Sequence, residues 1–152
     1  MFTQYMNTPV GWLKLYGDAR GIMEISFCDQ PKKLEDKTTK CISEAITELQ
    51  EYFDGTRKEF TIPLTFQGTS FQYDVYQALL NIPYGQTTTY QDIAREIDNP
   101  KAAQAVGNAL NQNKFAIVVP CHRVVGKGHK ISGYLGGADA HHFLIEHEAT
   151  RR

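Results

Sequence analysis

A thiol and an imidazole stand side by side at Cys121-His122, directly after Pro120 and before Arg123. Cysteine attacks as the thiolate, and an adjacent imidazole or helix N-terminus lowers its pKa from about 8.5. A carboxylate must then orient the ring, as in any Cys-His-acid relay. Glu148 and Glu146 are the candidates for that role. The apolar run Ala116-Ile117-Val118-Val119 reads as a short buried strand that stops at Pro120 and holds the thiol rigidly. Neighbouring side chains on an extended strand point to opposite faces, so a bridging water is the expected link between thiol and ring. Without its surroundings a lone cysteine is more often an inert buried residue than a nucleophile.

The other two cysteines, Cys28 and Cys41, have no histidine beside them and read as structural thiols. Three cysteines are an odd number with no close pair, which argues against a disulfide framework and a CxxC metal site. All five histidines (His122, His129, His141, His142, His147) fall in the last third of the chain. No zinc and no cofactor are expected. His142 and His147 read as helix-surface residues, and His129 as a solvated loop residue.

The elements that must hold Cys121 follow from pattern. The 152 residues, 41% hydrophobic, suffice for one compact domain or two small ones. Residues 8–16 are rich in strand formers, with Leu13 and Leu15 on one face. A turn at Gly17-Asp18 and Gly21 separates them from the alternation of Met23, Ile25 and Phe27, so the pair reads as a β-hairpin. Ile42, Ala45, Ile46, Leu49 and Phe53 recur at helical spacing, with Gly55 as the stop. Phe60, Ile62 and Leu64 alternate as a further strand. This is a small α+β unit over residues 1–66.

From residue 67 the character becomes helical. Thr69 and Gln72 form a capping box before the stripe Phe71, Val75, Leu79 and Leu80. Thr89 and Asp92 open a second short helix. Asn99, as cap, and Pro100, at the first turn, open a third. Its polar face is Gln104, Asn108 and Asn111, and small residues such as Ala105 and Gly107 would let it approach a duplex closely. Two short helices joined by a tight turn satisfy a helix-turn-helix, although an ordinary helical hairpin fits the pattern as well.

Net charge is −1, but its distribution is uneven. Residues 1–99 carry nine Lys/Arg against fourteen Asp/Glu, whereas residues 100–138 carry Lys101, Lys114, Arg123, Lys127 and Lys130 with no acidic residue. That basic stretch suits a phosphate-contacting face, or a solvated surface with a chance bias. No apolar run reaches the roughly 18 residues a membrane helix needs, and the first residues lack a signal-peptide pattern. A cytoplasmic protein with no membrane partner is expected.

Pro120-Cys121-His122-Arg123-Val124-Val125 resembles the active-site signature of the methylated-DNA–protein-cysteine methyltransferases, the O6-alkylguanine-DNA alkyltransferases. The resemblance extends through Gly68-Thr69-Ser70-Phe71-Gln72, Ile82-Pro83-Tyr84-Gly85, Thr89-Tyr90, Ala105-Val106-Gly107, Gly133-Tyr134-Leu135-Gly136-Gly137 and Leu144-Ile145-Glu146-His147-Glu148, in order and spacing. Asn113 stands eight residues before Cys121, as in the family. About half the chain is covered. The N-terminal half resembles the family only in its Thr-Pro-Val-Gly start and hairpin pattern.

The resemblance implies an α+β fold: an RNase H-like domain over residues 1–66, then a winged helix-turn-helix-like domain over 67–152. It implies that O6-alkylguanine, with O4-alkylthymine as a further candidate, is rotated out of double-stranded DNA and its alkyl group moved irreversibly to Cys121. His122 would act as base through a water, Glu148 would orient it, and Asn113 would order the loop. Tyr90 would help protonate the leaving base. Tyr134, Leu135 and Gly136 would bind the guanine, while Lys101, Gln104, Ala105, Gly107, Asn108 and Arg123 would contact DNA, Arg123 alternatively bracing the loop. A monomer is the default expectation. Gln104 replaces the family's usual arginine finger, and His141 replaces a frequent lysine. Other classes predict other behaviour: a lesion sensor would bind without transfer, a plain regulator would prefer one sequence, and a cysteine hydrolase would turn over.

Overall fold

The computed structural model describes residues 1–128 and 133–150. The chain divides into two compact units, Met1–Phe66 and Gln67–Arg152. No helix among the described residues is long and apolar enough to cross a membrane.

The first unit is a three-stranded antiparallel meander, β1 (Phe2–Thr8), β2 (Gly11–Gly17) and β3 (Ile22–Cys28), with one helix, α1 (Lys40–Asp54). Strand β2 is central and alternates cleanly, burying Leu13 and Leu15 completely. Gly11, at φ 105, closes the β1–β2 turn in a region that side-chain-bearing residues avoid. Strand β1 carries no such alternation, and only Met6 in it is buried. Helix α1 begins at Thr39, whose hydroxyl accepts from the Ile42 amide at 3.3 Å, and stops at Gly55 with φ 83. It buries Ile42, Ala45, Leu49 and Tyr52; Tyr52, rather than the expected Phe53, completes the stripe. Residues 60–64 do not form the expected strand. Leu64 makes a single parallel bridge to Ile22, because Pro63 has no amide to extend a ladder.

The second unit opens with α2 (Ser70–Leu80), whose Thr69–Gln72 capping box is fully formed. Strand β4 (Thr88–Thr89) leads into α3 (Tyr90–Glu96), and Thr89 accepts from the Asp92 amide at 3.1 Å. The next helix, α4 (Ala103–Asn111), starts later than expected: its cap is Ala102, with no side-chain hydrogen bond, and not Asn99. The chain instead reverses through Asp98 in the left-handed region (φ 58), with the Asn99 amide returning to the Ala94 carbonyl at 2.9 Å. Helices α3 and α4 bury Ile93, Ala94, Val106 and Leu110 in the core. Strand β5 (Val124–Val125) pairs in parallel with β4, and α5 (Ala138–Thr150) closes the unit.

Candidate active site

The segment ahead of Cys121 is not a strand. Phe115 to Val119 are buried, but they coil, with the Val118 amide on the Ala116 carbonyl and the Val119 amide on the Phe115 carbonyl. Ile117 sits at φ 72, a conformation a β-branched residue adopts only when its surroundings enforce it. An apolar run of four residues cannot by periodicity distinguish a strand from this coil. Cys121–Arg123 then form one turn of 3-10 helix, with the Arg123 amide on the Pro120 carbonyl at 3.0 Å. Successive side chains of such a turn leave it about 120° apart, so the thiol faces a different neighbour from the two residues that follow it.

Cys121 points to Asn113. The Asn113 amide nitrogen donates to Sγ at 3.2 Å and to the Val119 carbonyl at 3.0 Å, while its oxygen accepts from the Phe115 amide at 2.9 Å. One side chain thus ties down the coil and the thiol. Burial pushes the thiol pKa up to about 11, against the opposing pull of the Asn113 hydrogen bond. Cys121 is therefore a protonated thiol at neutral pH in the free protein.

His122 and Arg123 both point to Glu148 on α5. The ring Nε2 lies 2.6 Å from Glu148 Oε2, and Arg123 donates from Nε to Oε1 at 2.7 Å and from a terminal nitrogen to Oε2 at 3.1 Å. Burial alone would raise the Glu148 pKa, but the hydrogen bonds and charges of His122 and Arg123 together hold it well below the usual carboxylate range. An ionised carboxylate only accepts, so His122 Nε2 carries the proton and Nδ1 keeps its lone pair. Nδ1 is buried and makes no hydrogen bond among the described residues. Burial lowers the His122 pKa despite Glu148, so the imidazole is neutral. Glu146 is exposed and drops out as the orienting carboxylate.

Of the two readings of Arg123, bracing is the one the geometry supports: it is 7% exposed, with its guanidinium committed to Glu148 and to the Ile82 carbonyl at 2.7 Å, and is turned away from a phosphate-contacting role. His147 is likewise buried, not on the helix surface, with its ring stacked on Phe143 at 5.8 Å.

A small pocket opens at Cys121, lined also by Tyr90, Leu110, Asn111, Val124, Gly133, Tyr134, Leu135 and His141. Burial first, then the charges of Cys121 and Glu148, raise the Tyr134 pKa well above its ordinary value; burial and then Cys121 raise that of Tyr90. Both hydroxyls therefore stay protonated. Gly136 is not among the lining residues. Asn111, read from sequence as part of the outer face of its helix, reaches the pocket. His141 does too, through no local sequence signal beyond its seven-residue spacing from Glu148.

On α4, Gln104, Ala105 and Asn108 are exposed, as is Lys101 in the preceding turn. Gly107 is half-buried, and a Cβ there would lie 3.7 Å from the Tyr90 ring, an ordinary contact, so packing against Tyr90 does not require glycine at this position. Lys114 and Lys127 are exposed. His129 and Lys130 lie outside the described residues.

Two family models match the chain. Residues 1–66 match the ribonuclease-like domain of 6-O-methylguanine DNA methyltransferase, and residues 70–150 match its DNA binding domain. The chain belongs to the 6-O-methylguanine DNA methyltransferase family. The methylated-DNA–protein-cysteine methyltransferase of Methanosarcina acetivorans is 41% identical over 99% of both chains. The constitutive enzyme of that name from Bacillus subtilis is 51% identical over 74% of this chain and 68% of its own. The crystal structure of Mycobacterium tuberculosis OGT in complex with DNA superposes with a TM-score of 0.90 at 39% identity, covering 98% of this chain and 93% of that one. The fold is thus the α+β arrangement of the family, a ribonuclease-like domain followed by a helical DNA-binding domain.

Proposed function

We propose that this protein repairs alkylated DNA by accepting the alkyl group of O6-alkylguanine on Cys121, once per molecule. The observation that carries the reading is a buried thiol held by Asn113 next to a neutral imidazole whose far nitrogen is fixed by an ionised Glu148. The thiol is 4% exposed, so a base must leave the stack to reach it. On that reading the domains are residues 1–66 and 67–152, and the acting species is a cytoplasmic monomer.

The proton on Sγ passes to His122 Nδ1, directly or through a water, as the sulfur lone pair attacks the alkyl carbon in line. The carbon–O6 bond breaks, its electron pair moves into the guanine ring, and N1 takes up a proton that Tyr90 helps deliver. Tyr134 and the backbone around Leu135 hold the base. The product is a thioether and ordinary guanine. A thiolate is a poor leaving group from a neutral thioether, so nothing regenerates the thiol. Lys101, Gln104, Ala105 and Asn108 form the DNA-facing surface of α4 and its approach.

Intact-protein mass after mixing with a duplex holding one O6-methylguanine tests the proposal, with peptide mapping of the product. One methyl on the Cys121 peptide, stopping at one per molecule and absent in Cys121→Ser, is the expected result. Unchanged mass despite lesion-selective binding would overturn it.

A further inference from the structure

His141 touches the turn that holds the thiol, and no step above uses it. It is 1% exposed. Its Nε2 lies 2.8 Å from the main-chain oxygen of His122, and a carbonyl only accepts, so Nε2 carries the proton and donates it. Within the turn, the Pro120 and Cys121 carbonyls are taken by the amides of Arg123 and Val124. The His122 carbonyl, in a residue with no exposed surface, takes its hydrogen bond from α5 instead. Seven residues on, Glu148 holds the His122 ring from the same helix face. Two side chains two turns apart on α5 thus grip the backbone and the ring of one residue. The His141 ring also packs on Tyr134, centroids 4.9 Å apart, and both line the pocket at Cys121.

We propose that His141 is a positioning residue for alkyl transfer: it fixes the peptide between His122 and Arg123, and thereby the direction in which the His122 ring presents Nδ1 to the thiol. The inference rests on the alkyl-transfer reading. Loss of a donor to a buried carbonyl costs enough to let the turn rotate, and a misdirected base slows the chemical step more than it weakens binding.

The decisive comparison is His141→Gln against His141→Asn. The Gln amide nitrogen can reach the place of Nε2; that of Asn falls short, near the place of Nδ1. Single-turnover transfer is measured on a duplex with one O6-methylguanine, over a range of duplex concentrations. We expect His141→Gln to keep its saturating rate within about threefold of the unaltered chain and His141→Asn to lose about tenfold or more. Half-saturating duplex concentrations should stay within about twofold, and both variants should stay folded at the assay temperature, with His141→Asn melting a few degrees below His141→Gln. Equal rates in the two variants, or a loss confined to half-saturation, would overturn the proposal. Failure of the unaltered chain to transfer would instead sink the alkyl-transfer reading itself.

Discussion

The two units of the molecule are held together differently. In the first, Leu13, Leu15, Ile25, Ile42 and Leu49 have no exposed surface, and the one buried charged side chain is Glu48, satisfied by the amide and hydroxyl of Thr61 at 2.8 and 2.6 Å. The second has an apolar frame of its own, with Val75, Leu79, Ile93, Val106 and Leu144, but it also buries His122, Arg123, His141, His147 and Glu148. Apolar burial is nondirectional and fixes a fold without aiming any atom. Buried hydrogen bonds add little net stability, but an unmade one is costly, so a satisfied network holds each group in one orientation. The first unit is stabilised by area; the second gives up some of that to aim a thiol and an imidazole.

Substituting the two buried glutamates tests this contrast most directly. Glu148→Gln keeps shape but leaves the Arg123 guanidinium without its counter-charge, and breaking a buried pair costs about 3–5 kcal/mol. Urea denaturation followed in the second unit should show that loss, and alkyl transfer should fall in parallel. Glu48→Gln should cost only about 1–2 kcal/mol, since its partners are neutral Thr61 groups and Arg57 at 3.7 Å, which water still reaches. Equal losses at the two positions would erase the distinction.

Acidification should separate the units further. The folded pKa of His122 is depressed by burial, so the unfolded chain binds the proton first and stability of the second unit falls as pH drops through about 6.5. Glu148 adds to the loss below about 4.3, where the unfolded carboxylate takes a proton that the folded one refuses. At the other end Cys121 is raised to about 11, so stability declines as pH climbs from 9.0 toward that value. Trp12, the single tryptophan, reports on β2, and labelling of Cys121 by a disulfide reagent active in acid reports on the second unit. Cys121 should become accessible at a higher pH than the one at which Trp12 emission shifts. Coincident transitions would mean that the two units unfold as one.

What the sequence made legible follows the same divide between local and long-range causes. The caps at Thr69–Gln72 and Thr89–Asp92 and the stop at Gly55 are signals complete within four residues, and all three elements form where they indicate. Strand β1 escaped because only Met6 in it faces the core, leaving no alternation to read. Asn99-Pro100 had a cap's composition, but the chain spends those residues on a reversal at Asp98, and α4 waits until Ala103. Around Cys121 the motif named most of the residues that the structure gathers. It left open whether Arg123 turns inward and did not reveal that His141 reaches the turn, because both depend on where α5 docks. No pattern within six residues encodes that docking.

The smallest expected effects lie on α4, where exposed and half-buried positions alternate. Gln104 is exposed and Gly107 is turned to Tyr90, so substitutions there should act on different quantities. Gln104→Arg adds a cation and a planar guanidinium to the DNA-facing side and should tighten duplex binding about fivefold at low salt, with the gain shrinking as salt rises. Gly107→Ala should leave duplex affinity within about twofold. Glycine inside a helix costs about 1 kcal/mol relative to alanine, and an added Cβ would meet the Tyr90 ring at 3.7 and 3.8 Å, ordinary contact that requires no shift. Gly107→Ala should therefore raise the melting midpoint of the second unit by a few degrees. Calorimetry and duplex titration together decide the matter. A stabilised variant with weakened binding would mean that DNA needs the bare backbone at 107 after all, and that α4 is read from a face other than the one Gln104 marks.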